Sequence, residues 1–344
     1  MRSVMSRLLG YSAVALGLVA LAGAASAGPT LDAIKARGKL KCGVPTPSAG
    51  FAFPDSKGEM KGFDSDVCRA IAAAIFGDGN KVEFLPTTTQ ARFQVLQSGE
   101  VDLLSRQTTW TFGRDNSLGF NFAPTTFYDG QGLMVPKKLG VDTAKKLDGA
   151  AICIQPGTTT ELNITDYFRT NGMKYQAVVF ESSDEWRNAF FSGRCDVLTT
   201  DRSDLAATRA VANNPADYVV LPETISKEPL APAVRHGDDQ FFDIVKWTVY
   251  ALIAAEEKGI TAANADKLAM ETKDPEIQRM LGTSDDLGSQ MGLSKTWALD
   301  AIKSVGNYAE VFNRNLGPDT PLGLSRGPNE LWTKGGLQYA PPFR

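Results

Sequence analysis

Short apolar runs alternate along the chain with longer stretches whose apolar positions recur at helical spacing, and hydroxyl- or glycine-rich tips separate them. The run Lys39–Val44 reads as a first strand. A loop carrying Phe51 and Phe53 leads from it into a helical stretch from Gly62 that Gly77 closes. Asp64 takes the capping position of that helix and Asp66 its positive first turn. Strand Lys81–Leu85, helix Gln90–Gly99 and strand Val101–Leu104 follow. This alternation predicts a parallel sheet covered by helices, in which ligands collect beyond the carboxyl ends of the strands.

After an extended, glycine-bearing run at 129–135 the alternation starts again. It gives strand Ala151–Ile154, helix Glu161–Thr170, strand Ala177–Phe180, helix Ser183–Ser192 and strand Val197–Asp201. The segment 193–201 repeats 98–105 in type: a glycine after a helix, an acidic residue, an apolar strand and a polar tip. Two copies of one βαβ architecture are the simplest account. The proline-broken run Ile225–Val234 suits a second crossing between lobes, and Asp238–Lys258 is a strong amphipathic helix. The remainder is helical in pieces and reads as a wrap without a site of its own. The expected division is a first lobe over 28–131, a second over 132–229, and a return to the first lobe with a helical extension over 230–344. Hinge crossings fall near Gln131–Val135 and Ser226–Ala233.

The first 27 residues stand outside this scheme. Arg2 and Arg7 precede an apolar stretch from Tyr11 to Ala24, and Ala25-Ser26-Ala27 follows. That is the pattern of a secretory signal peptide cleaved after Ala27, and the apolar stretch is too short to span a bilayer. The mature chain is therefore expected in solution in the periplasm. It is longer than one hydrophobic core usually supports, which agrees with two lobes. A net charge of −3 with both signs interspersed argues against a nucleic-acid surface. His236 is the only histidine and sits in a turn-like Arg-His-Gly-Asp-Asp run. Neither a zinc site nor Ser-His-Asp machinery is expected, and no cofactor. Cys42, Cys68, Cys153 and Cys195 show no CxxC spacing, and export permits disulfides. Three pairings exist; Cys42–Cys68 with Cys153–Cys195 is favoured because each then stays within one lobe.

Three polar strand tips remain: Gln107-Thr108-Thr109 followed by Arg114, Gly157-Thr158-Thr159, and Thr199-Thr200-Asp201. Together they hold a cation, an anion and several hydroxyls, the complement of an α-amino acid zwitterion. A guanidinium grips a carboxylate with two parallel hydrogen bonds, a helix opening at Thr158-Thr159 offers free N–H groups, and Asp201 suits an ammonium. Each piece also has a structural role open to it. Arg114 can pair with Asp102 or Asp115, Thr158 and Asp201 can cap helices, and Phe51 and Phe53 can be core residues rather than a stacking wall.

The order Gly62-Phe63-Asp64-Ser65-Asp66, Thr109 with Arg114, Phe120-Asn121-Phe122-Ala123-Pro124-Thr125-Thr126-Phe127-Tyr128, Gly157-Thr158-Thr159 and Asp201 resembles the polar amino-acid solute-binding proteins of bacterial ABC importers. The resemblance covers about 30–260. In the general L-amino-acid-binding branch it extends to the C-terminus through Asn307-Tyr308 and Gly335-Gly336-Leu337-Gln338-Tyr339. It implies a two-lobed periplasmic-binding-protein fold, α/β in class. Each lobe is then a mainly parallel sheet flanked by helices, with two hinge crossings and a helical C-terminal extension. It further implies a monomer that captures free L-amino acids of broad specificity, docks on an ABC permease and catalyses nothing. Arg114 and Thr109 would hold the ligand carboxylate, with the backbone near Gln107 and Thr159 assisting, and Asp201 the ammonium. Arg106 and Gln107 stand where many relatives have serines, and the aromatic loop before Gly58 is shorter. Arg106 then either narrows specificity toward acidic side chains or pairs with a neighbouring acid. The alternative on the same fold is a cyclohexadienyl dehydratase acting on prephenate- or arogenate-like acids. That needs a carboxylate in the cleft, with Glu161 or Glu181 as lobe-two candidates.

Overall fold

The computed structural model describes residues 28–344, so the expected signal peptide lies outside the described residues. The first half of the chain supplies β1 (Leu40–Pro45), a small hairpin of β2 (Phe53–Pro54) and β3 (Met60–Lys61), β4 (Val82–Thr87), β5 (Leu103–Leu104) and β6 (Phe120–Phe122). A ribbon strand, β7 (Phe127–Asp129), leads to β8 (Gln131–Pro136), β9 (Ala151–Ile154), β10 (Gln176–Val179), β11 (Val197–Asp201) and β12 (Tyr218–Val220). The chain then returns through β13 (Glu228–Leu230) to β14 (Ala233–Arg235).

Two five-stranded sheets result, ordered β4-β1-β5-β14-β6 and β10-β9-β11-β8-β12. In the first, β1 runs parallel to β4 and β5, and β14 is antiparallel to both β5 and β6. In the second, β9 is parallel to β10 and β11, and β8 is antiparallel to β11 and β12. One strand in each sheet is reversed, and it is the strand that has just arrived from the other lobe. The parallel neighbours require crossover helices. Phe63–Phe76 and Arg92–Gln97 serve the first sheet, Thr159–Thr170 and Ser183–Phe191 the second.

Helices on both faces explain why the strands read as nearly continuous apolar runs. Leu133 and Ile152 face one apolar layer of the second lobe, while their neighbours Met134 and Cys153 face the other with Trp186 and Phe190. The first sheet is likewise covered by a large cluster around Leu40, Ile71 and Phe312 and a smaller one around Leu96, Leu104 and Phe120. Disulfides Cys42–Cys68 and Cys153–Cys195 tie β1 to its following helix and β9 to the turn before β11, the favoured pairing.

The first crossing differs in place from the expectation, whereas the second, through Glu228–Leu230, falls within Ser226–Ala233. Residues 131–135 form β8 inside the second sheet, so the chain leaves the first lobe earlier, through β7 and Gly130. There β7 pairs antiparallel with β13, making a two-stranded ribbon of both connections. The C-terminal segment wraps the first lobe. Tyr308 donates to the Thr126 carbonyl, and the Asn329 side chain bonds both the N–H and C=O of Tyr128 on β7.

Helix Phe63–Phe76 begins two residues earlier than the capping pattern suggests, with Gly62 rather than Asp64 as its N-cap. Gly62 has φ 125, and a Cβ there would lie 2.2 Å from the Phe51 carbonyl oxygen, so only glycine fits this approach. Asp64 is thereby moved inside the first turn and turned toward the sheet.

Candidate ligand-binding site

The carboxyl ends of β1, β4 and β5 face those of β9 and β11 across a cleft holding about 550 Å³ of space, its mouth included. The lobes touch around it. Thr46 and Ser183 hydroxyls lie 3.1 Å apart, Ser48 donates to Asp204 at 3.2 Å, and Arg187 donates to the Pro47 carbonyl at 3.1 Å. The cleft is therefore closed.

On the lobe-one wall, the chain turns sharply after β5. Gln107 has φ 41, the only positive φ at a non-glycine among the described residues, a conformation costing about 1–2 kcal/mol. Buried Asp64 holds the turn, accepting from the Ser105 hydroxyl and the Gln107 N–H, both at 3.2 Å. Burial pushes the Asp64 carboxyl up to about 7, against these hydrogen bonds and the Arg106 charge. Arg106 is itself buried, its Nε donating to the Thr87 carbonyl at 3.0 Å. Desolvation lowers it to about 10, so it stays cationic at neutral pH. Arg92 and Arg114 are buried nearby, their guanidinium carbons 4.8 and 5.1 Å from the Phe93 ring centroid. None of these three arginines forms an ion pair among the described residues.

On the lobe-two wall, the Thr158 hydroxyl accepts from the Glu161 N–H at 3.1 Å and donates to the Gln155 carbonyl at 2.7 Å, so it caps helix Thr159–Thr170. The first N–H groups of that helix have no intrahelical partner. Asp201 ends β11 at the N-cap of helix Arg202–Ala210, yet its side chain makes no capping bond and lines the cleft instead. Burial first, then the neighbouring charges of Asp129, Glu228 and Asp204, raise its carboxyl well above the usual range.

Between the walls sits Glu228, 1% exposed on β13. It accepts from the hydroxyls of Thr109 in lobe one and Thr159 in lobe two, from Ser226 on the crossing, and from the Asn163 amide. One carboxylate thus bonds both lobes and the ribbon between them.

Residues 40–264 match the family model for bacterial extracellular solute-binding proteins, family 3. The chain belongs to this family. It is 54% identical over 342 residues to the general L-amino acid-binding periplasmic protein AapJ of Rhizobium johnstonii, covering 99% of this chain and all of that one. The glutamate/glutamine/aspartate/asparagine-binding protein BztA of Rhodobacter capsulatus is 53% identical over 334 residues, covering 97% of this chain and 98% of that one. A solved structure of a periplasmic binding protein of Brucella ovis, with glutathione bound, superimposes with a TM-score of 0.89 at 53% identity. It covers 92% of this chain and 99% of that one.

In this family 3 protein, Arg106, Gln107, Thr109, Thr158, Thr159 and Asp201 all line the cleft. Arg114 sits behind Thr109, donating to its carbonyl at 2.9 Å. The aromatic wall is a correction. Phe51 packs edge-to-face against Phe63 and Phe127 in the lobe-one core, with ring centroids 6.3 and 5.8 Å apart, and Phe53 lies half-buried on β2. Neither reaches the cleft, because the short loop folds back onto helix Phe63–Phe76. Four further residues of the site lie outside the strand tips: Arg92, Arg187, Asp204 and Glu228. Asp204, one helical turn beyond Asp201, was within reach of an i, i+3 argument; nothing in the local sequence marks the others.

Proposed function

We propose that the protein is a periplasmic receptor, exported with cleavage after Ala27, that captures L-amino acids between its lobes as a monomer and delivers them to an ABC permease. One observation carries this reading: the closed cleft presents buried guanidiniums on the lobe-one wall and the Asp201 carboxyl on the lobe-two wall, which complements a zwitterion end to end. Arg114, with N–H groups near Gln107 and Thr159, holds the carboxylate. The Thr109 and Thr159 hydroxyls already donate to Glu228 and contribute by fixing the distance between walls. Asp201, whose carboxyl burial and the neighbouring acids raise, accepts from the ligand ammonium, whose charge offsets that of the crowded acids. A ligand bonding both walls stabilises the closed arrangement by its differential contacts.

The relatives support this reading, since AapJ and BztA carry amino-acid-binding names over essentially their whole length. Glutathione joins the candidate ligands because it is bound in the Brucella ovis structure and ends in an α-amino acid group. Catalysis as a cyclohexadienyl dehydratase finds less support. Neither Glu161 nor Glu181 lines the cleft; Glu161 instead accepts from the Gly157 N–H at 3.0 Å. A thermal-shift screen against the twenty amino acids, glutathione and prephenate tests the proposal. Stabilisation by L-amino acids is expected, by about 2.7 kcal/mol at 100 times Kd. Turnover of prephenate to an aromatic product would replace the receptor reading with the enzymatic one.

A further inference from the structure

Tyr128 and Asp129, neighbours on β7, are fastened to different parts of the molecule. Tyr128 is held by the C-terminal extension. Its N–H donates to the Asn329 amide oxygen at 2.6 Å, and the Asn329 amide nitrogen donates to its carbonyl at 3.0 Å. Just upstream, the Gln338 amide donates to the Thr125 and Thr126 carbonyls at 3.3 and 3.4 Å, and Tyr308 donates to Thr126 as well. Asp129 is held by lobe two. Its carboxylate accepts from the Ser203 N–H at 3.1 Å, at the start of helix Arg202–Ala210, and the Arg202 N–H donates to the Gly130 carbonyl at 2.9 Å. Tyr308, Asn329 and Gln338 are all buried, and all lie outside the matched span 40–264.

Opposite Tyr128 on β13 stands Pro229, which has no N–H to give. The polar groups of Tyr128 face the other edge of the ribbon, and an uncovered strand edge is left to water or to another chain. An asparagine amide offers a donor and an acceptor, as a backbone residue does, so Asn329 stands in for a third strand at this one position. Arg326 keeps it there. Its Nε donates to the Asn329 carbonyl at 2.9 Å, and its guanidinium bonds both oxygens of Glu256, at 2.9 and 3.2 Å, on helix Asp239–Glu257 of the lobe-one core. We propose that the C-terminal extension is a strut that makes 125–128 part of lobe one and confines the bend of the first crossing to the bonds between Tyr128 and Gly130. The lobes then swing along one narrow path. This rests on the receptor reading above in one respect, that the lobes open and close.

Spin labels on Glu83→Cys in lobe one and Lys174→Cys in lobe two, both exposed positions, read the distance between the lobes in the mature chain. The distance is measured without ligand and with L-glutamate, L-glutamine or L-leucine, in the otherwise unaltered chain and in Asn329→Ala and Gln338→Met. Both variants broaden the ligand-free distance distribution and leave the ligand-bound one as narrow as before. Hydrogen exchange at the Tyr128 amide accelerates about tenfold in Asn329→Ala, as the loss of one such bond implies, while exchange at Ser203 stays the same. Gln338→Met leaves Asn329 and its bonds in place, so it decides the matter even where Asn329→Ala unseats the whole extension. An unbroadened distribution in Gln338→Met, or unchanged Tyr128 exchange in a folded Asn329→Ala, overturns the strut. A distance in the unaltered chain that responds to none of the three ligands overturns the receptor reading instead, and the Tyr128 exchange still decides whether 125–128 is held by the extension.

Discussion

Asp64 is a buried acid whose charge this fold tolerates poorly in the ligand-free state, and Asp64→Asn isolates that effect. Its carboxyl is raised from an ordinary 3.8 to about 7 by burial beneath the turn that presents Arg106 and Gln107. Between these two values the native state binds more protons than the unfolded chain. Stability therefore falls as pH rises from about 4 to 7, and the full deficit is present above 7. The gap is worth on the order of 4 kcal/mol. Asparagine has the same shape, can accept from the Gln107 N–H and can donate to the Ser105 hydroxyl, so it imitates the protonated acid. Urea unfolding of both proteins at pH 4.5 and pH 8 reads the difference. The two should be nearly equal at pH 4.5, with the variant more stable by roughly 2–4 kcal/mol at pH 8. A difference between the proteins that stays the same at both pH values would refute the reasoning.

Other consequences are independent of Asp64. Glu228→Ala leaves the hydroxyls of Thr109 and Thr159 and the Asn163 amide without their acceptor, at a cost of about 3 kcal/mol, and loosens the clasp between the lobes. Small-angle scattering should then show a larger ligand-free particle, and an unchanged radius of gyration would contradict the clasp. Reduction removes cross-links spanning 26 and 42 residues. Loop-closure entropy puts their contributions at about 3.5 and 4 kcal/mol. Urea midpoints with and without reductant should differ accordingly, and a combined loss below about 1 kcal/mol would show that the loops are held by packing alone.

Much of the scaffold is legible in the sequence because it is written in local patterns. Apolar runs and helix-closing glycines locate β1, β4, β9 and β11, and the two similar strand tips foreshadow the cleft. Thr158 caps its helix as the pattern suggests. Asp201 occupies a capping position too, but its side chain faces the cleft, and local sequence does not separate the two outcomes. What escapes is set by long-range packing. Asp64 leaves its capping position because Gly62 turns against Phe51 and brings the acid under Ser105 and Gln107. Phe51 enters the core because helices from the C-terminal third bring Phe312 onto Phe127, a partner nearly two hundred residues away in sequence. Glu228 and Arg92 acquire meaning only from their surroundings, one saturated with donors from both lobes and the other with no hydrogen-bond or ion-pair partner. A guanidinium in a short amphipathic helix reads as a surface residue until the fold buries it.

The central claim is that both ends of an amino acid are held, its carboxylate by lobe one and its ammonium by Asp201. It is tested most directly by titrating ligand-free protein with L-glutamate and with glutarate, which lacks only the α-amino group, in the wild type and in Asp201→Asn. The account predicts that the wild type binds L-glutamate far more tightly than glutarate, by a factor of 100 or so for a buried charged hydrogen bond, and that Asp201→Asn removes most of that preference. Equal affinity of the wild type for both ligands, or a preference untouched by the substitution, would contradict it.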